Sequence, residues 1–80
     1  MNKFELRGQV VSYGTTKNCD WIEISTYEGS ITVYLEGISL NELESKLDDA
    51  YVEVAGYLQS YKYMDYVAVV ATELDILWLS

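Results

Sequence analysis

The chain has 80 residues, half of them apolar, with eight Tyr, two Trp, one Cys and neither His nor Pro. That length fits one domain with a thin core, hiding roughly 60 to 65% of the surface its unfolded chain would expose. A lone cysteine excludes an internal disulfide framework, and the lack of histidine excludes Ser-His and Cys-His nucleophile pairs and any ordinary zinc site. Thirteen acidic residues against five basic ones give a net charge of −8, which repels nucleic-acid phosphate at long range and draws basic protein surfaces.

The opening Met1-Asn2-Lys3-Phe4-Glu5-Leu6-Arg7 puts charges where a secretory signal carries an apolar run. No stretch approaches the roughly 20 apolar residues of a membrane span. With Cys19 as a free thiol, the expectation is a cytoplasmic protein that makes no use of a membrane.

Alternation at the strand period predicts five strands and one helix. The first strand, Phe4 to Tyr13, turns Phe4, Leu6 and Val10 to one side, and Gly8 marks a kink or bulge. In the second, Trp21 to Tyr27, Ile22 and Ile24 face inward while Trp21, Glu23, Ser25 and Tyr27 face out. A tight turn at Glu28-Gly29-Ser30 leads to a third strand with Ile31, Val33 and Leu35 inward and Thr32 and Tyr34 outward. Ser39-Leu40-Asn41-Glu42 reads as a capping box, followed by an apolar helix face of Leu40, Leu43 and Leu47. The fourth strand, Tyr51 to Tyr61, buries Val52, Val54, Gly56 and Leu58. A turn through Lys62-Tyr63-Met64-Asp65 gives the fifth, Tyr66 to about Ile76, followed by Leu77-Trp78-Leu79.

Three strands, a short helix and two more strands is the order of the five-stranded Greek-key barrel called the OB-fold, an all-β architecture with one short helix. An SH3-like barrel needs no helix at that place, and a ferredoxin-like domain needs a second one. The strings Asn41-Glu42-Leu43-Glu44-Ser45-Lys46-Leu47 and Tyr51-Val52-Glu53-Val54-Ala55-Gly56-Tyr57-Leu58-Gln59 resemble the single-stranded-DNA-binding protein family, where such a helix leads into a "V-x-V-x-G-x-L" strand. Val69 to Leu77 is similar to that family's closing strand and Phe4 to Val10 to its opening one. The chain departs from the family in two places that remove positive charge. Asp48-Asp49-Ala50 stands where a basic or glycine turn is usual, and Tyr57 where an Arg is common. The reading is also of a barrel without the family's glycine-rich tail, so recruitment would use the folded body.

The resemblance implies a binding face on strands two and three, together with the loops joining strands one to two and four to five. Trp21, Tyr27 and Tyr34 fall on that face, Lys17 on the first loop, and Tyr57, Tyr61, Lys62, Tyr63 and Tyr66 around the second. An aromatic ring can stack on any base, whereas these tyrosines can equally serve as ordinary cover for a small barrel. Leu77, Trp78 and Leu79 are either the end of the last strand folding onto the core or an apolar patch for a protein partner. The acidic flank of the helix, Glu36, Glu42, Glu44, Asp48 and Asp49, is either a solvated face or a landing site for a basic partner.

No catalytic, cofactor or metal site is expected. The function read from the sequence is a small accessory subunit in DNA replication. It would supply stacking residues for single-stranded DNA while a larger, more basic polymerase, primase or helicase contacts phosphate, an economical form that would suit a phage or mobile element. Two alternatives are an acidic mimic of DNA that inhibits a nucleic-acid enzyme, and a homo-oligomeric single-strand coat.

Overall fold

The computed structural model describes residues 3–17, 19–60 and 67–78. Five strands and one helix follow in the order β1 (Lys3–Thr15), β2 (Asp20–Thr26), β3 (Gly29–Leu35), α1 (Leu40–Leu47), β4 (Tyr51–Ser60) and β5 (Val67–Trp78). The strands close into a barrel in the order β1-β2-β3-β5-β4, antiparallel except where β3 meets β5 through Val33–Val69, Tyr34–Val70 and Leu35–Ala71.

β1 serves two neighbours. Its first half, Lys3 to Gln9, pairs with β4, and its second half, Gln9 to Thr15, pairs with β2. The change of partner requires a bend, which a bulge between Val10 and Ser12 supplies by leaving Val11 unpaired and half-exposed. Before the bulge Phe4, Leu6 and Val10 face the core, as expected; after it the parity flips and Tyr13 packs inward. The bulge is therefore not at Gly8. Gly8 meets a different demand, since a Cβ there would stand 2.4 Å from both Ile24 Cγ2 and the Ser25 carbonyl oxygen.

The interior is aliphatic. Ile22, Ile24, Val33, Val52, Val54 and Leu47 are fully enclosed, with Val10, Leu35, Leu40, Ala50 and Ala71 beside them. Each fully buried Val, Leu or Ile contributes about 1.5–3 kcal/mol against the entropy of ordering the chain. Gly56 lets β4 and β5 approach, because a Cβ there would fall within the Val70 carbonyl. Beside it the register slips between Ala55 and Gly56, so that β5 turns Val69 and Ala71 inward, then Leu74 and Ile76.

Three sequence expectations need correction. The β2–β3 turn is at Tyr27-Glu28, with Thr26 opposite Gly29 and the Thr26 hydroxyl donating to the Gly29 carbonyl at 2.7 Å. Ser39 makes no capping hydrogen bond; instead the Leu40 N–H donates to Asp20 Oδ2 at 3.0 Å, so the start of β2 caps the helix. β5 continues past Ile76 to Trp78, and its end does not fold onto the core: Leu77 and Trp78 are exposed, with Trp78 stacked on Tyr51 at 5.3 Å between ring centres. At the other end of α1, Asp49 takes a left-handed conformation (φ 58°) and the Ala50 carbonyl accepts from the Val10 N–H at 2.8 Å, tying the helix exit to the bulge.

Candidate nucleic-acid interface

Residues directly opposite one another on neighbouring strands point to the same side of a sheet. Gly14 on β1 faces Trp21 on β2, Trp21 faces Tyr34 on β3, Tyr34 faces Val70 on β5, and Val70 faces Tyr57 on β4. Their inward neighbours Ile22, Val33, Val69 and Ala71 belong to or pack on the core, so this row lies on the outside. Three rings and a valine thus form one apolar stripe across four strands. With strands about 4.8 Å apart, Trp21 and Tyr57 stand about 14 Å from one another around the barrel.

Local features hold the row in place. The Trp21 ring lies over Gly14, where a Cβ would meet Cζ2 at 2.7 Å. Val70 faces outward yet is only 6% exposed, a value an outward valine reaches only when its neighbours cover it. Trp21, Tyr34 and Tyr57 are half-buried, leaving part of each ring available. The Tyr57 hydroxyl donates to a Glu36 carboxylate oxygen just beyond the end of β3, which fixes the ring at the end of the stripe.

The charges around the stripe are mixed. Lys17 is exposed on the loop between β1 and β2, which Thr16 and Cys19 close: the Thr16 hydroxyl donates to the Cys19 carbonyl at 2.9 Å and accepts from its N–H at 3.1 Å. Lys3 is exposed opposite Tyr57 at the far end. Against these stand Glu36 and Glu23, the latter in the adjacent outer row between Ser12 and Thr32. Arg7 is engaged elsewhere, bound to Glu53 at 2.6 Å, and that hydrogen bond and charge hold its guanidinium above its ordinary pKa.

Of the residues singled out in the sequence, Trp21, Tyr34 and Tyr57 come together, while Lys17 is exposed on the loop that follows β1, three positions beyond Gly14. Tyr27 does not join them: it stands fully exposed at the hairpin tip, six positions along from Trp21, or about 20 Å of extended chain. Tyr61, Lys62, Tyr63, Tyr66 and Leu79 lie outside the described residues. Two residues at the stripe are not expected there from the sequence: Val70, and Glu36, which the sequence puts only in the acidic flank of the helix. The unbroken apolar run Val67-Ala68-Val69-Val70-Ala71 carried a signal for the first, since such a run marks a strand covered on both faces. Nothing local marked Glu36, which meets Tyr57 only through barrel closure.

No protein-family model matches the chain, and no curated protein does. Solved structures do. The chain superposes with a TM-score of 0.77 and 18% identity on asparaginyl-tRNA synthetase from Pyrococcus horikoshii, over 98% of its own length but 19% of the synthetase. On the mitochondrial single-stranded-DNA-binding protein Rim1 of S. cerevisiae it scores 0.76 at 13% identity, covering 99% of this chain and 96% of that one. On a chain of the Replication Protein A heterotrimer bound to single-stranded DNA it scores 0.72 at 14% identity, over 98% and 59% of the two chains. The expected architecture is thereby established: the chain is an all-β, five-stranded OB-fold barrel with one short helix between β3 and β4, and in that fold it resembles single-stranded-DNA-binding proteins.

Proposed function

We propose that this barrel binds single-stranded DNA along the Trp21–Tyr34–Val70–Tyr57 stripe, as an accessory subunit of a larger replication enzyme such as a polymerase, primase or helicase. The observation that carries the reading is the stripe itself: half-exposed aromatic rings on β2, β3 and β4, brought into register through Val70 of β5, in a barrel whose relatives in fold include single-strand binders. Each stacked base is worth about 1–3 kcal/mol, so two or three rings hold a short strand with few phosphate contacts.

The division of labour follows from charge. At −8, with Glu23 and Glu36 beside the rings and only Lys17 and Lys3 flanking them among the described residues, the barrel holds bases better than phosphates. A larger partner with a basic surface supplies the missing phosphate contacts and is itself attracted by the net charge. The role is binding, with no catalytic step assigned to this chain.

Titration of a fluorescent oligo-thymidine with the purified chain at low salt tests this. Binding that weakens with added salt is expected. Absence of binding at any salt would move the weight to the acidic-mimic reading, which the outward carboxylates Glu5, Glu53, Glu73 and Asp75 favour.

A further inference from the structure

β5 is paired unequally on its two sides. β4 follows it along its whole length, from Ser60–Val67 to Tyr51–Trp78. β3 accompanies it only from Val69 to Ala71, and the last main-chain bond on that side runs from the Glu36 N–H to the Ala71 carbonyl at 2.9 Å. From Thr72 to Trp78 that edge has no main-chain partner among the described residues. A strand edge of this length presents a row of N–H and C=O groups ready to pair with another chain.

The side chains along the edge state what it selects. Leu74 and Ile76 turn inward onto the core, while Glu73 and Asp75 turn outward. Outward, Glu73 continues the row Glu5–Ala55, and Asp75 faces Glu53 directly, so four carboxylates share one patch in which Arg7 is the cation. Like charges directly opposite one another destabilise a sheet, and this patch keeps them. Antiparallel pairing of two copies through the same edge would bring Glu73 and Asp75 of each beside the other's, so self-association through this edge is opposed. A cationic strand relieves the same repulsion.

We propose that the Thr72–Trp78 edge accepts an extended segment of a partner protein as an added strand, in which Lys or Arg residues alternate with apolar ones. The basic side chains lie beside Glu73 and Asp75, and the apolar ones continue the surface of Leu74 and Ile76. The exposed Leu77 and the Trp78 ring stacked on Tyr51 give the far end of the segment an apolar seat. This surface is separate from the aromatic stripe and does not depend on nucleic-acid binding.

The test is titration of the full chain with a synthetic peptide of alternating Lys and Val, followed by amide hydrogen exchange. Slowed exchange within residues 72–78 is expected, and Glu73→Lys with Asp75→Lys, both exposed positions, should weaken the peptide by about tenfold or more. A peptide of the same sequence, N-methylated at alternate residues to remove the donors facing β5, should not bind. Equal binding by the methylated peptide, or protection confined to other strands, would overturn the proposal. An alternating Glu-Val peptide that bound as well would overturn the assignment of a basic partner.

Discussion

The indole of Trp21 rests on Gly14 of the neighbouring strand, so closely that a Cβ on that glycine would stand 2.7 Å from Cζ2. Gly14→Ala must displace the ring from its place in the stripe. The substitution lies at the end of the strand and away from the fully buried core, so the stability loss should stay below about 2 kcal/mol. Oligo-thymidine affinity should fall severalfold. In a Trp78→Phe background, where Trp21 is the only tryptophan and can be excited selectively at the red edge of its absorption, the fluorescence maximum should shift; an unchanged spectrum and affinity would show that the ring's seat on Gly14 is immaterial.

Truncating the rings separates the stripe from the other exposed aromatics. Trp21→Ala and Tyr34→Ala should each weaken a labelled oligo-thymidine by about 1–3 kcal/mol, roughly five- to 150-fold by anisotropy. Tyr27→Ala, at the distant hairpin tip, should leave affinity unchanged. Glu36→Gln keeps an acceptor for the Tyr57 hydroxyl but removes a charge beside the rings, and should tighten binding by about two- to threefold at low salt.

Salt dependence counts the phosphates held. If Lys17 and Lys3 each engage one, the slope of log affinity against log salt should be about −1.4, and Lys17→Ala should reduce its magnitude by about 0.7. A slope several times steeper would require basic groups beyond these two.

Helix α1 offers a test of long-range capping. Asp20 reaches from β2 to the Leu40 N–H, whereas Ser39 in the cap position makes no side-chain capping hydrogen bond. Asp20→Ala should therefore cost about 0.5–2 kcal/mol in urea unfolding and Ser39→Ala less than about 0.5 kcal/mol. The reverse order would restore the local capping box.

Gly56 is the position least open to change. A Cβ there would stand 1.9 Å from the Val70 carbonyl oxygen and 2.8 Å from Ala71 Cα, both backbone atoms that move only if β4 and β5 separate. Gly56→Ala should cost more than about 3 kcal/mol, a large share of what a domain of this size has, and circular dichroism melting should show it. Because Val70 belongs to the stripe, any folded remainder should also bind oligonucleotide poorly.

The alternation of Ile22 and Ile24, of Val33 and Leu35, and of Val52 and Val54 made the core legible in the sequence, because burial on one face of a strand writes itself at period two. The element order then pointed to the barrel. Phase-shifting irregularities were not legible. The bulge at Val11 sits in a run, Val10-Val11-Ser12-Tyr13, that reads equally well without it, and only the need for β1 to serve both β2 and β4 places it there. The candidate site was half legible for the same reason. Trp21 and Tyr34 shared a face by local parity, whereas the company of Val70, Tyr57 and Glu36 depends on the parallel β3–β5 contact, which no local pattern encodes. Tyr27 misled because an exposed tyrosine at the end of an alternating run looks like the next outward position, although the chain has already turned.

The chain's two tryptophans lie on different surfaces, Trp21 in the stripe and Trp78 at the end of β5. Oligo-thymidine affinity measured side by side for the unmodified chain, Trp21→Ala and Trp78→Ala is the most direct test of the stripe as the nucleic-acid site. Loss of about fivefold or more for Trp21→Ala with Trp78→Ala unchanged is expected. Equal affinity in all three, or loss confined to Trp78→Ala, would contradict it.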